Sequence, residues 1–277
     1  MTSRQGPFCA NQQGFTLVEL VMVIVILGVI SSMVAVFMRG PIDAYFAAAR
    51  RAALTDAADT VLRRMERDVR KALPNSLRTP SAQCLELIPT ITGGRYRADG
   101  TAAALTFDAP DASFNMLGLN SALPLSQQIL AGDVVVVYNL GPSVPQSDTY
   151  LNVNTATVQS LGAESGGETP ITLTAAKQFP LESGGNRFHV VPAAERVVSY
   201  VCNSSDGTLR RTVNSASFTS SCPTTGPIIA SNVSCNFDYS GDDLARNALV
   251  RIVLQISARN NAESVQLQQE IHINNTP

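Results

Sequence analysis

The stretch GFTLVELVMVIVILGVISSMVAVFM (14–38) decides how this chain must be organised. From residue 15 to residue 38 it holds 24 residues and one charged side chain, that of Glu19. A helix rises about 1.5 Å per residue, so this length is enough to cross a hydrocarbon core of about 30 Å. The sequence therefore predicts a membrane-spanning helix over residues 15–38.

The segment before the apolar run differs from an ordinary secretory signal. It is short and polar, and Arg4 is its only basic residue. No small-residue cleavage site follows the apolar run, so we expect the helix to stay in the mature protein. Arg4 lies on one side of the run and Arg39, Arg50 and Arg51 lie on the other, so basic residues do not fix the orientation.

The composition excludes some functions. The chain has 277 residues, a formal net charge of -2 and a pI of about 5.7. That length allows one large domain or two small ones. Nucleic-acid-binding domains carry a basic surface patch, and this charge balance gives no sign of one.

The residues around the start of the apolar run carry a family resemblance. GFTLVEL (14–20) resembles the class III signal of type IV pilins and type II secretion pseudopilins. The resemblance implies that a prepilin peptidase cleaves between Gly14 and Phe15 and methylates the new amino group of Phe15. It also implies a single-pass protein of the bacterial inner membrane, with a periplasmic β domain, other pilin subunits as partners and an inner-membrane assembly platform.

Glu19 needs an explanation, because a carboxylate inside hydrocarbon costs about 2.5–3.5 kcal/mol on insertion scales. Cleavage would create a cationic amine on Phe15, and Glu19 could neutralise that amine on a neighbouring subunit, which converts two buried charges into one pair. We therefore predict an assembly role for Glu19. The alternative is that its side chain simply reaches the cytoplasmic interface, where it has no function.

The cysteine count fits removal of the leader. The chain has Cys9 and four later cysteines, so cleavage after Gly14 leaves an even number. An even number fits disulfides in an oxidising compartment such as a periplasm, and four buried thiols in a cytosolic protein are the alternative. The four remaining cysteines are Cys84, Cys202, Cys222 and Cys235.

Four cysteines permit three pairings. The prediction is Cys202 with Cys222, which would close a loop of low apolar content, and Cys84 with Cys235, which would tie the ends of the sheet together. The competing arrangement pairs Cys222 with Cys235 and Cys84 with Cys202.

A second helical pattern follows the apolar run. Gly40-Pro41 ends the apolar run and is expected to kink or interrupt the helix, because proline removes a backbone donor. Apolar residues then recur at spacings of three and four from Leu54 to Leu73, which predicts an amphipathic helix on a core. The helix is expected to stop at Pro74.

Beyond residue 80 the period changes to two, with turn residues between short runs. This order, one long helix and then antiparallel strands, predicts the α+β class with a pilin-like arrangement. The expected regions are a leader (1–14), a transmembrane and filament-core helix (15–38), an amphipathic helix (39–73) and a periplasmic β domain (74–277). The strand candidates are 84–91, 103–107, 133–140, 151–158, 171–174, 187–191, 196–202, 207–212, 233–239, 248–256 and 264–273.

Catalytic and metal-binding motifs are sparse. His189 and His272 are the only histidines, and both fall in strand-like runs, where a structural role is expected. The sequence DYSGDD (238–243) could gather carboxylates around calcium, but its spacing does not match an EF-hand, and a solvated turn is the preferred interpretation. We expect no enzymatic activity, no cofactor and no metal.

The functional hypothesis is a minor pilin-like structural subunit that takes part in the initiation or tip of a type IV pilus. Four segments resemble minor pilin-like proteins of mannose-sensitive haemagglutinin pili: 84–98, 196–211, 222–241 and 273–277. The first alternative is a minor pseudopilin of a type II secretion system. A membrane-anchored periplasmic enzyme or binding protein and a surface adhesin are the others.

Overall fold

The computed structural model describes residues 14–100, 103–219, 222–240, 247–259 and 263–277. The chain divides into two compact units, one ending at Ala52 and the other beginning at Ala53. Within the described residues there is one α-helix, α1 (Leu17–Arg70), followed by strands that pair antiparallel throughout. The strands are β1 (Arg78–Ser81), β2 (Cys84–Leu87), β3 (Thr92–Tyr96), β4 (Asp111–Leu117), β5 (Val134–Val137), β6 (Thr155–Leu161), β7 (Glu168–Lys177), β8 (Arg187–Val191), β9 (Val197–Asn203), β10 (Thr208–Asn214), β11 (Ile228–Ser231), β12 (Val233–Ser240), β13 (Asn247–Ser257) and β14 (Ser264–Asn274).

The predicted interruption at Gly40-Pro41 is wrong, because Pro41 lies inside α1. A proline removes one backbone hydrogen bond from a helix, and the turns on either side can keep theirs. The helix ends at Arg70, a few residues before Pro74, whose ring disfavours helical geometry in the residue that precedes it.

The C-terminal part of α1 packs on two sheets. Its buried residues are Ala58, Val61, Leu62, Met65 and Val69, which confirms the apolar stripe predicted from their spacing. They share one core with side chains of a five-stranded sheet, in the order β1-β2-β9-β10-β11, and of a three-stranded sheet, in the order β12-β13-β14. This arrangement is the α+β architecture that the order of elements predicted.

The remaining strands form a structure that the sequence did not predict. They close a six-stranded barrel in the order β3-β4-β7-β6-β5-β8. Its interior is a separate core with large aromatic side chains, among them Tyr96, Phe114, Phe179 and Phe188. The expectation of a single sheet is therefore corrected to two sheets and a barrel.

One strand candidate inside this region is also wrong. Residues 103–107 form no strand, and Ala103 has a φ of 61°, which a regular strand does not allow. Four strands, β1, β3, β4 and β11, were not predicted.

A polar network joins the end of α1 to the barrel and the C-terminal segment. The Asn75 side-chain amide donates to the Asn139 carbonyl oxygen at 2.9 Å, and the Asn139 amide donates to the Pro74 carbonyl oxygen at 2.7 Å. The Asn75 backbone N–H donates to Oδ1 of Asn275 at 3.2 Å. Asn139 is almost fully buried, so these bonds satisfy polar groups that would otherwise be costly to bury.

The disulfides follow the third possible arrangement, which is neither the predicted pairing nor its competitor. Cys84 is bonded to Cys222 and Cys202 to Cys235, with 6.0 Å between the Cα atoms in each pair. The predicted pairing is therefore wrong, and so is its competitor. The reason lies in the register, because Cys84 is opposite Val201, so Cys84 and the next residue, Cys202, point to opposite faces of the sheet. Cys202 faces the core that it shares with Cys235 of β12 in the other sheet. The Cys202–Cys235 bond consequently links the two sheets beneath α1.

Candidate processing and assembly site

The first turn of α1 contains a capping box. Thr16 precedes the first helical residue, and its side-chain Oγ1 accepts a hydrogen bond from the Glu19 backbone N–H at 3.3 Å. In return, Oε2 of Glu19 accepts from the Thr16 backbone N–H at 3.2 Å. This reciprocal pair satisfies two donors at the helix start that have no partner within the helix. The motif T-L-V-E therefore has a local structural use as well as a place in the predicted signal.

Glu19 keeps part of its hydrogen-bonding capacity. Both of its contacts with Thr16, through the backbone N–H and through the hydroxyl at 3.2 Å, involve Oε2. Among the described residues, no hydrogen bond to Oε1 is found, and the side chain is exposed. The capping box thus holds the carboxylate at the helix start with one oxygen free to accept another donor.

No contact within the chain requires position 14 to be a glycine. A Cβ atom placed on it would meet nothing within 4 Å. The same is true of Gly28 and Gly40. A need for glycine at position 14 must therefore come from a second molecule that approaches the backbone there.

The apolar segment that begins at Phe15 and continues into α1 is exposed along its length. Phe15, Leu17 and Ile24 expose 84%, 80% and 61% of their surface, and the exposed large apolar residues continue to Phe46. Within the described residues, α1 is the one helix long and apolar enough to cross a membrane, with a mean hydropathy of 2.9 over its most apolar 18 residues. An apolar surface of this extent marks a membrane or protein contact.

The second unit holds a buried carboxylate that resembles a metal site in its composition. Ligand atoms of Cys84, Glu86 and Cys222 lie within 4.8 Å of one another. The two sulfur atoms are bonded to each other, so neither is the thiolate that binds metals. Oε1 of Glu86 instead accepts from the Ser199 hydroxyl at 2.9 Å and from the Cys222 backbone N–H at 3.1 Å.

An arginine completes the surroundings of Glu86. Nε of Arg78 lies 3.2 Å from Oε2 of Glu86, and the guanidinium carbon lies 3.2 Å from the centre of the Tyr150 ring. The Tyr150 hydroxyl donates to the Ser76 carbonyl oxygen at 2.9 Å. Because the carboxylate is both paired and hydrogen-bonded, this cluster joins β1 and β2 to the disulfide and to the segment after α1.

The two histidines lie far apart in the topology. His189 is on β8 of the barrel and His272 is on β14 of the three-stranded sheet. Burial, with a smaller effect of the nearby Arg187, lowers the pKa of His189 to about 4. His189 is therefore neutral at pH 7, and its Nε2 atom is buried with no hydrogen-bond partner among the described residues. The structural role of this histidine stays a prediction.

The acidic segment considered for calcium is only partly described. Asp238 lies on β12 and its carboxylate is 3.7 Å from the Arg251 guanidinium on the neighbouring strand β13. Asp242 and Asp243 lie outside the described residues. The preference for a solvated turn stays a prediction.

Comparison with known families finds a match at the N-terminal end of the chain. The model of the prokaryotic N-terminal methylation motif matches residues 9–35, which include the predicted cleavage junction, the capping box and most of the apolar run. The match supports assignment of the chain to the type IV pilin-like proteins, and it suggests processing by a prepilin peptidase and association with other pilin subunits. Neither the curated proteins nor the solved structures gave a match.

Proposed function

We propose that this chain is a minor pilin-like subunit of a type IV pilus, cleaved after Gly14, methylated on Phe15 and used to initiate or cap the filament. The observation that carries the proposal is the coincidence of the methylation-motif match with the Thr16–Glu19 capping box and the exposed apolar surface that follows it. A structural subunit needs no catalytic centre, so the proposal includes no enzymatic activity.

The finer assignment is to mannose-sensitive haemagglutinin pili, where the chain resembles the minor pilin-like protein MshO. The resemblance rests on four segments, which begin at Cys84, Arg196, Cys222 and Ile273. The competing assignment is a minor pseudopilin of a type II secretion system, whose N-terminal chemistry is the same. The identity of the filament proteins that purify with the chain separates the two.

In this proposal, assembly depends on two features near the start of α1: the exposed apolar side chains and the carboxylate of Glu19. In the membrane, lipid covers the apolar side chains, and in a filament the helices of neighbouring subunits replace the lipid. Subunits related by a rotation and a translation make heterologous contacts that generate an open helical filament. The β domain then lies in the periplasm and on the filament surface. Its size, more than 200 residues, favours a low-copy position over a repeating one.

Glu19 supplies the directional contact in this proposal. Oε2 is held by Thr16, and Oε1 is available to the N-methylated amine of Phe15 on a neighbouring subunit. In hydrocarbon, neither the carboxylate nor the amine is stable alone, so the pair favours one axial register of adjacent helices.

Processing is tested by substituting Gly14. Gly14→Leu should block cleavage, so that the protein accumulates in the membrane with residues 1–14 attached. Gly40→Leu is the matched control, because a Cβ atom at Gly40 also meets nothing within 4 Å, and this variant should mature normally. Normal maturation of Gly14→Leu would count against the proposed function.

The role of the Glu19 charge is tested separately from its role in the cap. Glutamine at this position can still bond the Thr16 backbone N–H, so Glu19→Gln keeps the capping box and removes the charge. We expect Glu19→Gln to be cleaved normally and to be absent from purified filaments. Incorporation of this variant at the wild-type level would show that charge pairing does not drive assembly.

A further inference from the structure

Strand β14 forms one edge of the three-stranded sheet. It pairs with β13 over eleven consecutive residues, from Ser264 to Asn274, with no shift in register. Its other side pairs with no strand among the described residues. The sheet therefore ends in a long, regular edge.

The hydrogen bonds at the start of β14 show which backbone groups face outward. The Ala258 N–H, just after β13, donates to the Glu263 carbonyl oxygen, just before β14. The Ser257 N–H points to the other side of β13 and donates to the Asn232 carbonyl oxygen, just before β12. Because these directions alternate along antiparallel strands, the even-numbered residues of β14 direct their N–H groups away from β13. Gln266, Gln268 and Glu270 are in the middle of this unpaired row.

This edge lacks the features that usually block strand addition. Within 264–274 there is no lysine and no proline, and Glu270 is the only acidic residue. The edge strands of the other sheet, β1 and β11, have only four residues each, and both pair with an irregular register. Strand β1 also contains Pro80. Short, irregular or proline-containing edges resist pairing, whereas β14 favours it.

The charged side chains of α1 next to β14 indicate which side chains a partner strand would need. The Gln269 side-chain amide donates to Oε2 of Glu66 at 2.6 Å, and Oε1 of Glu66 lies 2.7 Å from Arg70. One turn earlier, Arg63 is largely exposed and pairs with Asp59. Arg63, Glu66 and Arg70 line an open groove of about 630 Å³ together with Thr60, Arg67 and Lys71, and this groove has an excess of positive charge.

The first half of β14 offers a different surface. Leu267 is only partly buried, and it packs on the core that includes Ala58 and Leu62 of α1. An added strand would complete its burial, which stabilises by about 25 cal/mol for each Å² of apolar surface removed from water.

We propose that the β14 edge accepts an extended strand from a different pilin-like subunit, with an apolar side chain against Leu267 and an acidic side chain directed into the groove that Arg67 and Lys71 make positive. The proposal rests on the proposed function, because it needs a neighbouring subunit in the filament. A second copy paired antiparallel through β14 would point the two α1 helices in opposite directions, and subunits of one filament share a direction. Strand addition supplies main-chain hydrogen bonds, and the side chains supply selectivity.

Amide hydrogen exchange tests this inference on the full chain. Exchange in the peptide 264–274 is compared between the detergent-solubilised chain alone and the detergent-extracted complex with other pilin subunits. We expect the outward amides to exchange at least about tenfold more slowly in the complex. Unchanged exchange in a complex that contains those subunits overturns this inference and leaves the proposed function intact. Absence of any pilin subunit from the preparation overturns both.

A pair of variants identifies the backbone contact. Gln268→Pro removes an N–H that faces outward and is not needed by β13, whereas Gln268→Ala keeps it and shortens the side chain. We expect Gln268→Pro to reduce co-purification of the partner at least about tenfold and Gln268→Ala to leave it unchanged. A wild-type amount of partner with Gln268→Pro contradicts the proposal, provided that exchange in β12 and β13 shows an intact sheet. A photo-crosslink from position 268 to another copy of this chain overturns the choice of partner.

Discussion

Isoleucine has opposite surroundings in the two units of this chain. Ile24, in the unit that ends at Ala52, exposes 61% of its surface, whereas Ile252 on β13, in the unit that begins at Ala53, is fully buried. The contrast holds for the other large apolar residues in each unit, with only scattered exceptions in the second. Burial of such a side chain contributes about 1.5–3 kcal/mol. The second unit obtains this stabilisation within one chain, and the first can obtain it only from lipid or from other chains.

Removal of the first unit should have the largest effect. A chain that begins at Ala53 keeps Ala58, Val61, Leu62, Met65 and Val69, the helix side chains that the sheets bury. We expect it to be soluble and monomeric without detergent when made in an oxidising compartment, because the exposed apolar surface is gone. Gel filtration with light scattering measures this. Insolubility of the chain with both disulfides formed would contradict the division at Ala53.

Removal of the disulfides should affect the second unit next most strongly. Cys84 and Cys222 are 138 residues apart, and Cys202 and Cys235 are 33 residues apart. The chain-entropy model gives about 5 kcal/mol for the first closure and about 4 kcal/mol for the second. One variant replaces Cys84 and Cys222 by serine, and the other replaces Cys202 and Cys235. In denaturation experiments, the first variant should lose more free energy of unfolding than the second. Peptide mapping of the non-reduced wild type should link Cys84 to Cys222, and a peptide linking Cys84 to Cys202 or Cys235 would refute the pairing.

His189 should make the stability of the second unit depend on pH. Its pKa is about 4 in the folded chain, against an ordinary value of 6.5, because burial disfavours the charged form. As the pH falls, His189 therefore takes up a proton at a higher pH in the unfolded chain than in the folded chain. The folded state consequently loses stability as the pH falls from 6.5 towards 4. The loss attributable to His189 approaches about 3 kcal/mol at the lower limit. In His189→Gln the free energy of unfolding should fall less steeply over this range, and parallel curves for variant and wild type would contradict this explanation.

Two aspartates on α1 should give the smallest effects and the closest comparison. Oδ2 of Asp68 accepts from the Tyr200 hydroxyl and from Nε of Arg211, both at 2.8 Å, and its side chain is largely buried. Asp59 pairs with Arg63 on the exposed side of the same helix. Asp68→Ala should cost about 1–3 kcal/mol of unfolding free energy and Asp59→Ala less than about 0.5 kcal/mol. If urea denaturation shows the same loss of unfolding free energy for both variants, burial does not determine how much these contacts stabilise the fold.

Local patterns predicted the helix and most of the strands correctly. The spacing of Ala58, Leu62, Met65 and Val69 identified the buried side of α1, and strict alternation identified β13 and β14. Both patterns arise from contacts that repeat along one element, so a single sequence contains them.

The barrel and the disulfide pairing could not be predicted in this way. Strand β3 carries Gly93 and Gly94, which suggest a turn, but a Cβ atom at either position would come within 3.0 Å of Phe188 on β8. The glycines allow two strands to approach, and only the tertiary structure shows that. The cysteine pairs likewise depend on which strands become neighbours. At the N-terminus the sequence indicated Gly14, Phe15 and Glu19 as site residues, and their roles stay predictions, although Thr16–Glu19 matches a capping box that was not recognised.

The most direct test of the central claim is the mass of the N-terminal peptide of the chain isolated from the membranes of cells that contain a prepilin peptidase. The account predicts a peptide that begins at Phe15 and carries one methyl group on its amino nitrogen. The same peptide should be absent from cells that lack the peptidase. A mature chain that begins elsewhere, or one that retains Gly14 in the presence of the peptidase, would contradict the assignment of this protein as a processed pilin-like subunit.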